Sequence, residues 1–311
     1  MVWRPNIASK ADNPTLGEIK EFARQETFFC FLLLAIIIIY ENEHGGNLDI
    51  FLIKIILAFV IGAVWITLAT VIAEKFGTKI GGMVLGLPST TAISLFFIAW
   101  TQSPSVAAEA TTIIPIIMGI NTLFILGYVF VSKFNFPLSI IIAIAAWFIP
   151  SFFLLWMNFN DLAYSIAGCA IFLIGFYYIM EKKLKITSKE KKSIEYTIPQ
   201  LGFRALLSGG IITTAVLMAK IGGPMVGGVF TTFPAAFLST IIITHLKYGR
   251  EFAAAMMKMS MISAATTIVI YAMIIRYSYL HFEIITGTVI ALVITFFAGF
   301  IIYKIISKKI K

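Results

Sequence analysis

Glycines, small hydroxyl residues and a proline occur together in one apolar stretch, and the same combination occurs a second time. The first copy, KIGGMVLGLPSTT, covers residues 79–91, and the second, KIGGPMVGGVFTTFP, covers residues 220–234. Both open with Lys-Ile-Gly-Gly, and both reach a proline, Pro88 or Pro234, close to serine or threonine. Glycine and proline interrupt membrane helices, and membrane proteins bind polar solutes where a helix is interrupted.

Each copy predicts a helix that stops and restarts at its proline, because proline is favoured in the first turn of a helix. A helix N-terminus exposes unpaired N–H groups and carries about half a positive charge, which suits a carboxylate or another anion. The two breaks and their hydroxyls therefore define a candidate solute site. Its predicted members are Gly86, Pro88, Ser89, Thr90, Thr91, Gly227, Gly228, Thr231, Thr232 and Pro234. Gly-x-x-x-Gly spacing is also typical of close helix packing in lipid, so packing alone is the alternative.

Few ionisable residues fall inside the apolar stretches. Lys54 and Glu109 lie near the outer ends of two predicted spans at similar depth, and we expect them to form an ion pair that belongs to the site. Arg204 and Lys258 lie near inner ends, where long side chains can reach the interface. Asn121, in the middle of an apolar run, predicts a hydrogen bond between helices.

Residue clusters that would bind a metal or carry out catalysis are missing from the sequence. Cys30 and Cys169 both lie inside apolar runs and are expected to be buried thiols rather than a disulfide. No metal-ligand cluster, phosphate-binding loop or pair of catalytic carboxylates can be found. We therefore predict no metal, no cofactor and no enzymatic activity.

The composition is that of a membrane protein. Of the 311 residues, 59% are hydrophobic and 13% are charged, against about 25% charged residues in soluble domains. The mean hydropathy is +0.95, and apolar runs of about 20 residues recur, as expected for transmembrane helices. The net charge of +9 does not indicate nucleic-acid binding, because most of the lysines lie between the apolar runs, where membrane topology explains them.

Ten spans, A to J, can be placed after a polar cytoplasmic tail at residues 1–26. They cover residues 27–40, 50–73, 81–101, 105–131, 136–157, 161–180, 199–220, 222–245, 251–276 and 281–305. With the N-terminus inside, the inner segments hold nineteen Lys and Arg residues, and the outer loops hold only Lys220 and Arg276. This asymmetry predicts a multi-pass protein of the cell (inner) membrane with both termini in the cytoplasm.

The span count makes the two copies of the repeat run in opposite directions across the membrane. Their offset is 141 residues at Ile-Gly-Gly and 146 from the prolines onward. Extending each copy by one helix gives halves at 27–160 and 161–311, with a lysine-rich cytoplasmic loop at 181–198. The predicted fold is an all-α integral membrane protein of ten transmembrane helices in two inverted five-helix repeats, with helices 3 and 8 broken at their prolines. Inverted repeats recur in secondary transporters.

Each repeat also resembles a known family, the small GlpM-type inner-membrane proteins, which consist of a single four-helix unit. The resemblance rests on a basic residue that opens the first helix (Lys54, Arg204), an Ile-Gly pair and the Phe-Pro of the second copy. The first copy differs, with Leu87-Pro88 at that place. The family implies no defined activity. Two inverted sets of five helices are also similar to the drug/metabolite transporter superfamily, by analogy of architecture alone.

Two functions fit these patterns. The first is a secondary transporter or exporter of a small anionic or zwitterionic metabolite, working by alternating access between the inverted halves. The second is a non-transporting membrane scaffold, or an assembly partner for an envelope polysaccharide or lipid enzyme. A transporter needs a cavity at the level of Ser89 and Thr232, whereas a scaffold can pack solid there. The expected partners are membrane lipids, the solute and, as a candidate assembly, a second copy in a homodimer; nucleic acid is not expected.

Overall fold

The computed structural model describes residues 47–75, 81, 84–187 and 197–309. These residues form helices and connecting turns with no strand among them, as predicted for an all-α membrane protein. The cytoplasmic tail, span A and Cys30 lie outside the described residues, and so does half of the lysine-rich loop, residues 188–196. Cys169 lies inside them and is a buried, free thiol, as expected.

The helices of the described residues are numbered here in chain order. They are α1 (Asn47–Lys75), α2 (Ser89–Thr101), α3 (Pro104–Ala110), α4 (Ile114–Val131), α5 (Phe136–Trp156), α6 (Leu162–Tyr177) with a following π-helical turn (Tyr178–Lys183), α7 (Ile198–Thr231), α8 (Ala235–Tyr248), α9 (Arg250–His281) and α10 (Ile284–Lys309).

Seven segments of the described residues are long and apolar enough to cross a membrane, so the chain is a multi-pass membrane protein. They are Ile50–Val71, Ile114–Val131, Phe136–Trp156, Leu162–Lys183, Ile198–Tyr248, Arg250–His281 and Ile284–Ile301. The helix α2, expected as part of a full span, has only 13 residues. At 1.5 Å per residue it is too short to cross about 30 Å of hydrocarbon alone.

The centre of the protein is built from α2, α4 and α9. Residues 91–99 of α2 are all buried, and 78% of the apolar window of α4 is buried, against 22% in α5 and 17% in α6. The helices α4 and α9 pack against each other, α5 and α6 pack on α4, and α10 packs on α9. The apolar faces that α5, α6 and α10 leave exposed are therefore the surface that meets lipid.

The long helix α7 reverses its direction at Gly223. Gly223 has φ 83° and ψ 179°, outside the helical region, which glycine adopts without a steric penalty. A Cβ atom on Gly227 would lie 2.9 Å from the Cα atom of Ala219. Residues eight positions apart in a straight helix are separated by about 12 Å along the axis, so the chain turns back between them. Residues 198–222 and 224–231 are therefore two arms of a helical hairpin.

The predicted span D is wrong as a continuous helix, since residues 105–131 form two helices, α3 and α4. The hydroxyl of Thr111 donates to the carbonyl of Ala108 at 2.6 Å, and the N–H of Thr111 donates to the same carbonyl at 3.3 Å, which ends α3. Pro115 has no N–H to donate and begins α4 in the first turn of that helix.

The helix α9 is longer than predicted and places Arg276 inside a helix rather than in an outer loop. The Arg276 guanidinium donates to the carbonyl of Ala108 at 3.1 Å and to the hydroxyl of Thr112 at 2.8 Å. A cation at the C-terminal end of a helix is favourable because the last carbonyls there carry partial negative charge. This contact connects α9 to the break between α3 and α4.

Candidate functional site

The two proline breaks have the same backbone geometry. Pro88 has φ −77° and ψ 35°, and Pro234 has φ −76° and ψ 46°. At the first break, N–H groups donate to carbonyls from Leu87 to Val84, from Ser89 to Leu87 and from Ala92 to Pro88. The same three hydrogen bonds occur 146 residues later at the second break, from Phe233 to Phe230, from Ala235 to Phe233 and from Leu238 to Pro234. The helices are therefore interrupted at both prolines, as the sequence predicts.

The helices α2 and α8 begin directly after these prolines with uncapped N-termini. The first N–H groups of a helix have no acceptor within the helix. In α2 the second and third of these groups belong to Thr90 and Thr91, and in α8 they belong to Ala236 and Phe237. Each N-terminus therefore offers hydrogen-bond donors and the positive end of a helix dipole.

These two N-termini meet at one cavity of about 40 Å³. At about 10–15 Å³ per water molecule, that volume holds about three waters. The lining combines hydroxyl, amide and apolar residues from both breaks and from α4 and α9: Leu85, Leu87, Thr90, Thr91, Met118, Asn121, Thr231, Thr232, Phe233, Pro234, Ala236, Phe237, Ala264 and Ile268. The structure thus brings together five of the predicted site residues, Thr90, Thr91, Thr231, Thr232 and Pro234.

Two lining residues carry buried polar atoms without a hydrogen-bond partner among the described residues, namely Asn121 Oδ1 and Thr231 Oγ1. Their residues are 2% and 0% exposed. Asn121 Nδ2 donates to the carbonyl of Thr232 at 3.1 Å, so its predicted hydrogen bond between helices is confirmed. A buried polar atom left without a partner costs about 1–3 kcal/mol. Asn121 Oδ1 and Thr231 Oγ1 are therefore destabilising unless a further polar group bonds to them.

Other predicted site residues do not line this cavity. Ser89 and Pro88 are outside the lining. Gly86 instead contacts α9, Gly227 contacts Ala219 in the other arm of α7, and Gly228 contacts the end of α3 and the turn after it. A Cβ atom on Gly86 would lie 2.7 Å from the backbone N of Ala264, and one on Gly228 would lie 2.7 Å from a side-chain carbon of Ile113. The carbonyl of Gly86 also accepts a hydrogen bond from Thr267 at 2.6 Å. The glycines therefore permit close helix packing around the site.

The predicted ion pair between Lys54 and Glu109 is not formed among the described residues. Lys54 Nζ donates to the carbonyl of Trp100 at 2.9 Å and lies 4.6 Å from the centroid of the Trp100 ring, while Glu109 is exposed on α3. The carbonyls at the end of α2 and the face of an indole ring both attract a cation. Lys54 therefore holds the C-terminal end of α2, away from the cavity.

Lys258 and Arg204 are fully buried, so the expectation that both side chains reach the interface is wrong. Lys258 Nζ donates to Glu181 Oε2 at 2.8 Å and also to the carbonyl of Ile186. Glu181 lies in the π-helical turn after α6, 77 residues away along the chain. A charge inside a protein is tolerated when it is paired and hydrogen-bonded, and Lys258 has both kinds of partner.

Asn121 and the apolar residues other than Pro234 were missed from the sequence as members of the lining and, away from the cavity, Glu181 was missed as the partner of Lys258. A signal was available for Asn121, because an amide in the middle of an apolar span is costly without a function. No signal was available for Glu181, which lies in a charged segment. The described residues contain no group of three or more His, Cys, Asp or Glu side chains placed to hold a metal ion; the absence of a cofactor stays a prediction.

Fold and cavity together define the class of this molecule, a multi-pass all-α membrane protein with a small cavity, lined by apolar, hydroxyl and amide residues, between two interrupted helices. Residues 203–308 match the family described as "Protein of unknown function (DUF3147)". The match extends from the first arm of α7 into α10 and leaves the first repeat outside. Comparison with curated proteins gave no match, and comparison with solved structures gave none.

Proposed function

We propose that the protein is a secondary transporter of a small anionic or zwitterionic metabolite. The observation that carries the proposal is the cavity at which the N-termini of α2 and α8 meet, lined by hydroxyl residues of both proline breaks. N–H groups at a helix N-terminus bind anions without a buried cation, and the described lining contains no charged side chain. Interrupted helices in the middle of the membrane are where transporters bind their substrates.

The proposed mechanism is alternating access between two inverted halves of five helices each. An offset of 146 residues relates the two breaks and also relates Pro104, the first residue of α3, to Arg250, the first residue of α9. Helices that the repeat makes equivalent pack against each other, α1 against α7 and α4 against α9. Such contacts are expected next to a pseudo-two-fold axis, because an element near the axis meets its own counterpart.

Ten transmembrane helices follow if the segment Ile198–Tyr248 crosses the membrane twice, which the reversal at Gly223 supports. The remaining two crossings are residues 27–40 and 81–101. With both termini in the cytoplasm, α2 runs from the cavity to the outer face and α8 runs from the cavity to the inner face. This orientation presents both helix N-termini to one solute at the centre of the protein.

One observation favours the second candidate, a membrane scaffold. The cavity of about 40 Å³ is small beside ligand pockets of about 300–1,000 Å³, and the three glycines near it are closely packed against other parts of the protein. A scaffold would use this region only to hold the interrupted helices together.

Uptake into proteoliposomes distinguishes the two candidates. The purified chain is reconstituted and assayed with labelled small carboxylates and amino acids, and we expect uptake of at least one of them above protein-free liposomes. Thr90→Val should lower this uptake by about tenfold, because a hydroxyl that binds the solute is lost. Thr101→Val is the matched control on the same helix, since the Thr101 hydroxyl bonds to the carbonyl of Phe97 away from the cavity. A folded protein that transports none of the panel would favour the scaffold.

A further inference from the structure

We infer that the cavity selects solutes that carry a hydrogen-bond donor next to their anionic group, and that Asn121 is the residue that recognises this donor. The inference rests on the proposed function and names its substrate class, small amino acids and hydroxy acids. Simple carboxylates and inorganic anions lack the donor and are the compounds that the site would bind weakly.

The side-chain amide of Asn121 has one orientation that fits its neighbours. Asn121 Nδ2 donates to the carbonyl of Thr232 at 3.1 Å and contacts the sulfur of Met118 at 3.4 Å. Turning the amide over would set Oδ1 against the Thr232 carbonyl, where two acceptors repel each other. The atom of Asn121 left without a partner among the described residues is therefore Oδ1, and this oxygen can only accept.

The remaining side-chain hydroxyls and the helix N-termini of the lining can all donate hydrogen bonds. The N–H groups of Thr90 and Thr91 in α2, and of Ala236 and Phe237 in α8, are donors at the positive ends of two helix dipoles. The Thr231 hydroxyl can donate or accept and has no partner in the described part of the chain. The lining therefore combines the donors of two helix N-termini with Asn121, whose Oδ1 is an acceptor of fixed orientation.

A carboxylate with a neighbouring hydroxyl or ammonium group is complementary to this arrangement. Its oxygens pair with the helix N-termini, and its O–H or N–H pairs with Asn121 Oδ1. A simple carboxylate leaves that buried acceptor unpaired, and sites built to bond a substrate O–H or N–H discriminate strongly against analogues that lack it. The cavity volume of about 40 Å³, room for about three waters, limits the solute to a few heavy atoms.

Equilibrium binding to the purified full-length protein tests the inference independently of transport. The probes are glycine and glycolate, which carry the donor, and acetate and propionate, which do not, at constant ionic strength. We expect glycine or glycolate to bind at least about tenfold more tightly than acetate and propionate, as in other sites where an unpaired buried acceptor discriminates. Equal affinity for all four would overturn the inference and leave the transport proposal standing, because water would then satisfy Asn121.

The variant Asn121→Leu tests whether Asn121 is the residue that produces the preference for glycine and glycolate. We expect it to remove the preference for glycine and glycolate while acetate still binds, and retained acetate binding also reports that the variant is folded. Thr122→Val is the matched control, since the Thr122 hydroxyl bonds to the carbonyl of Gly119 within its own helix, and it should keep the wild-type preference. A preference that survives in Asn121→Leu would overturn the role of Asn121. If none of the four probes binds, the inference fails, and uptake of larger solutes into liposomes decides the transport proposal separately.

Discussion

At the scale of single residues, Lys258 and Glu181 form a buried ion pair between two distant parts of the chain. Lys258 has no exposed surface, and Glu181 is 15% exposed. The pair connects the N-terminal half of α9 to the π-helical turn after α6, and α6 packs on the helix α4 that lines the cavity. Removing one partner from such a pair leaves an uncompensated charge in a medium of low polarity.

We therefore expect Lys258→Met to lower the free energy of unfolding by about 3–5 kcal/mol. The double variant Lys258→Met with Glu181→Leu should recover much of this loss, because neither charge then remains buried alone. Denaturation of the purified protein in mixed micelles measures the three free energies as a double-mutant cycle. Lys182→Met, next to Glu181 but exposed, is the control and should have little effect. An equal loss in the single and double variants would show that Lys258 stabilises through packing alone.

At the scale of secondary-structure elements, glycines decide how closely the interrupted helices approach their neighbours. Gly86 precedes the first proline break and lies against Ser263 and Ala264 of α9, where an added Cβ atom would come within 2.5 Å of Ser263 Cβ. Its carbonyl, which the break frees from regular helical bonding, is bonded by Thr267. The neighbouring helix thus satisfies the backbone that lipid could not.

Gly86→Ala should consequently destabilise the protein by about 1–3 kcal/mol, because a methyl group has no room between the two backbones. Gly175 in α6 has no atom within 4 Å of its added Cβ. Gly175→Ala should therefore stabilise its helix by about 0.5–1 kcal/mol. Thermal unfolding of both variants in the same detergent makes the comparison. If Gly86→Ala were neutral, the close contact between this break and α9 would be contradicted.

At the scale of the whole molecule, the number of membrane crossings between the two repeats decides whether they are inverted. Ser105 and Glu251 are equivalent positions, 146 residues apart, and both are exposed at the start of a helix. Five crossings lie between them if residues 198–248 cross twice, and four lie between them if that segment crosses once. An odd number puts the two positions on opposite faces of the membrane.

We expect single cysteines at Ser105 and Glu251, introduced into a chain whose own cysteines are replaced, to react with an impermeant thiol reagent from opposite sides of the membrane. Ser105→Cys should react from outside and Glu251→Cys from inside, in agreement with the charge asymmetry of the loops. Lys185→Cys, in the turn after Glu181, should react from the same side as Glu251→Cys, because the charge asymmetry predicts both positions on the cytoplasmic face. Reaction of both repeat positions from the same side would exclude the inverted arrangement.

The sequence by itself determined the features that depend on local chemistry. The length of the apolar runs indicates a membrane protein, because lipid accepts only helices whose backbone is internally bonded. The interruptions at Pro88 and Pro234 were predicted from a proline that follows glycines, whereas Pro150, without such glycines, lies inside the continuous helix α5. The end of α3 was not predicted, because Thr111 and Arg276 terminate that helix through contacts that no run of apolar residues indicates.

Only the tertiary structure decided which of these residues meet. Thr90 and Thr232 line one cavity because the two breaks pack on α4 and α9, and Asn121 joins them through a contact across 111 residues of chain. Lys54 meets Trp100 instead of Glu109, and Lys258 meets Glu181. Partners of this kind depend on which faces of distant helices are brought together. Periodicity and spacing describe one segment at a time, whereas a polar group inside a membrane protein is stabilised by whichever partner the packed structure presents to it.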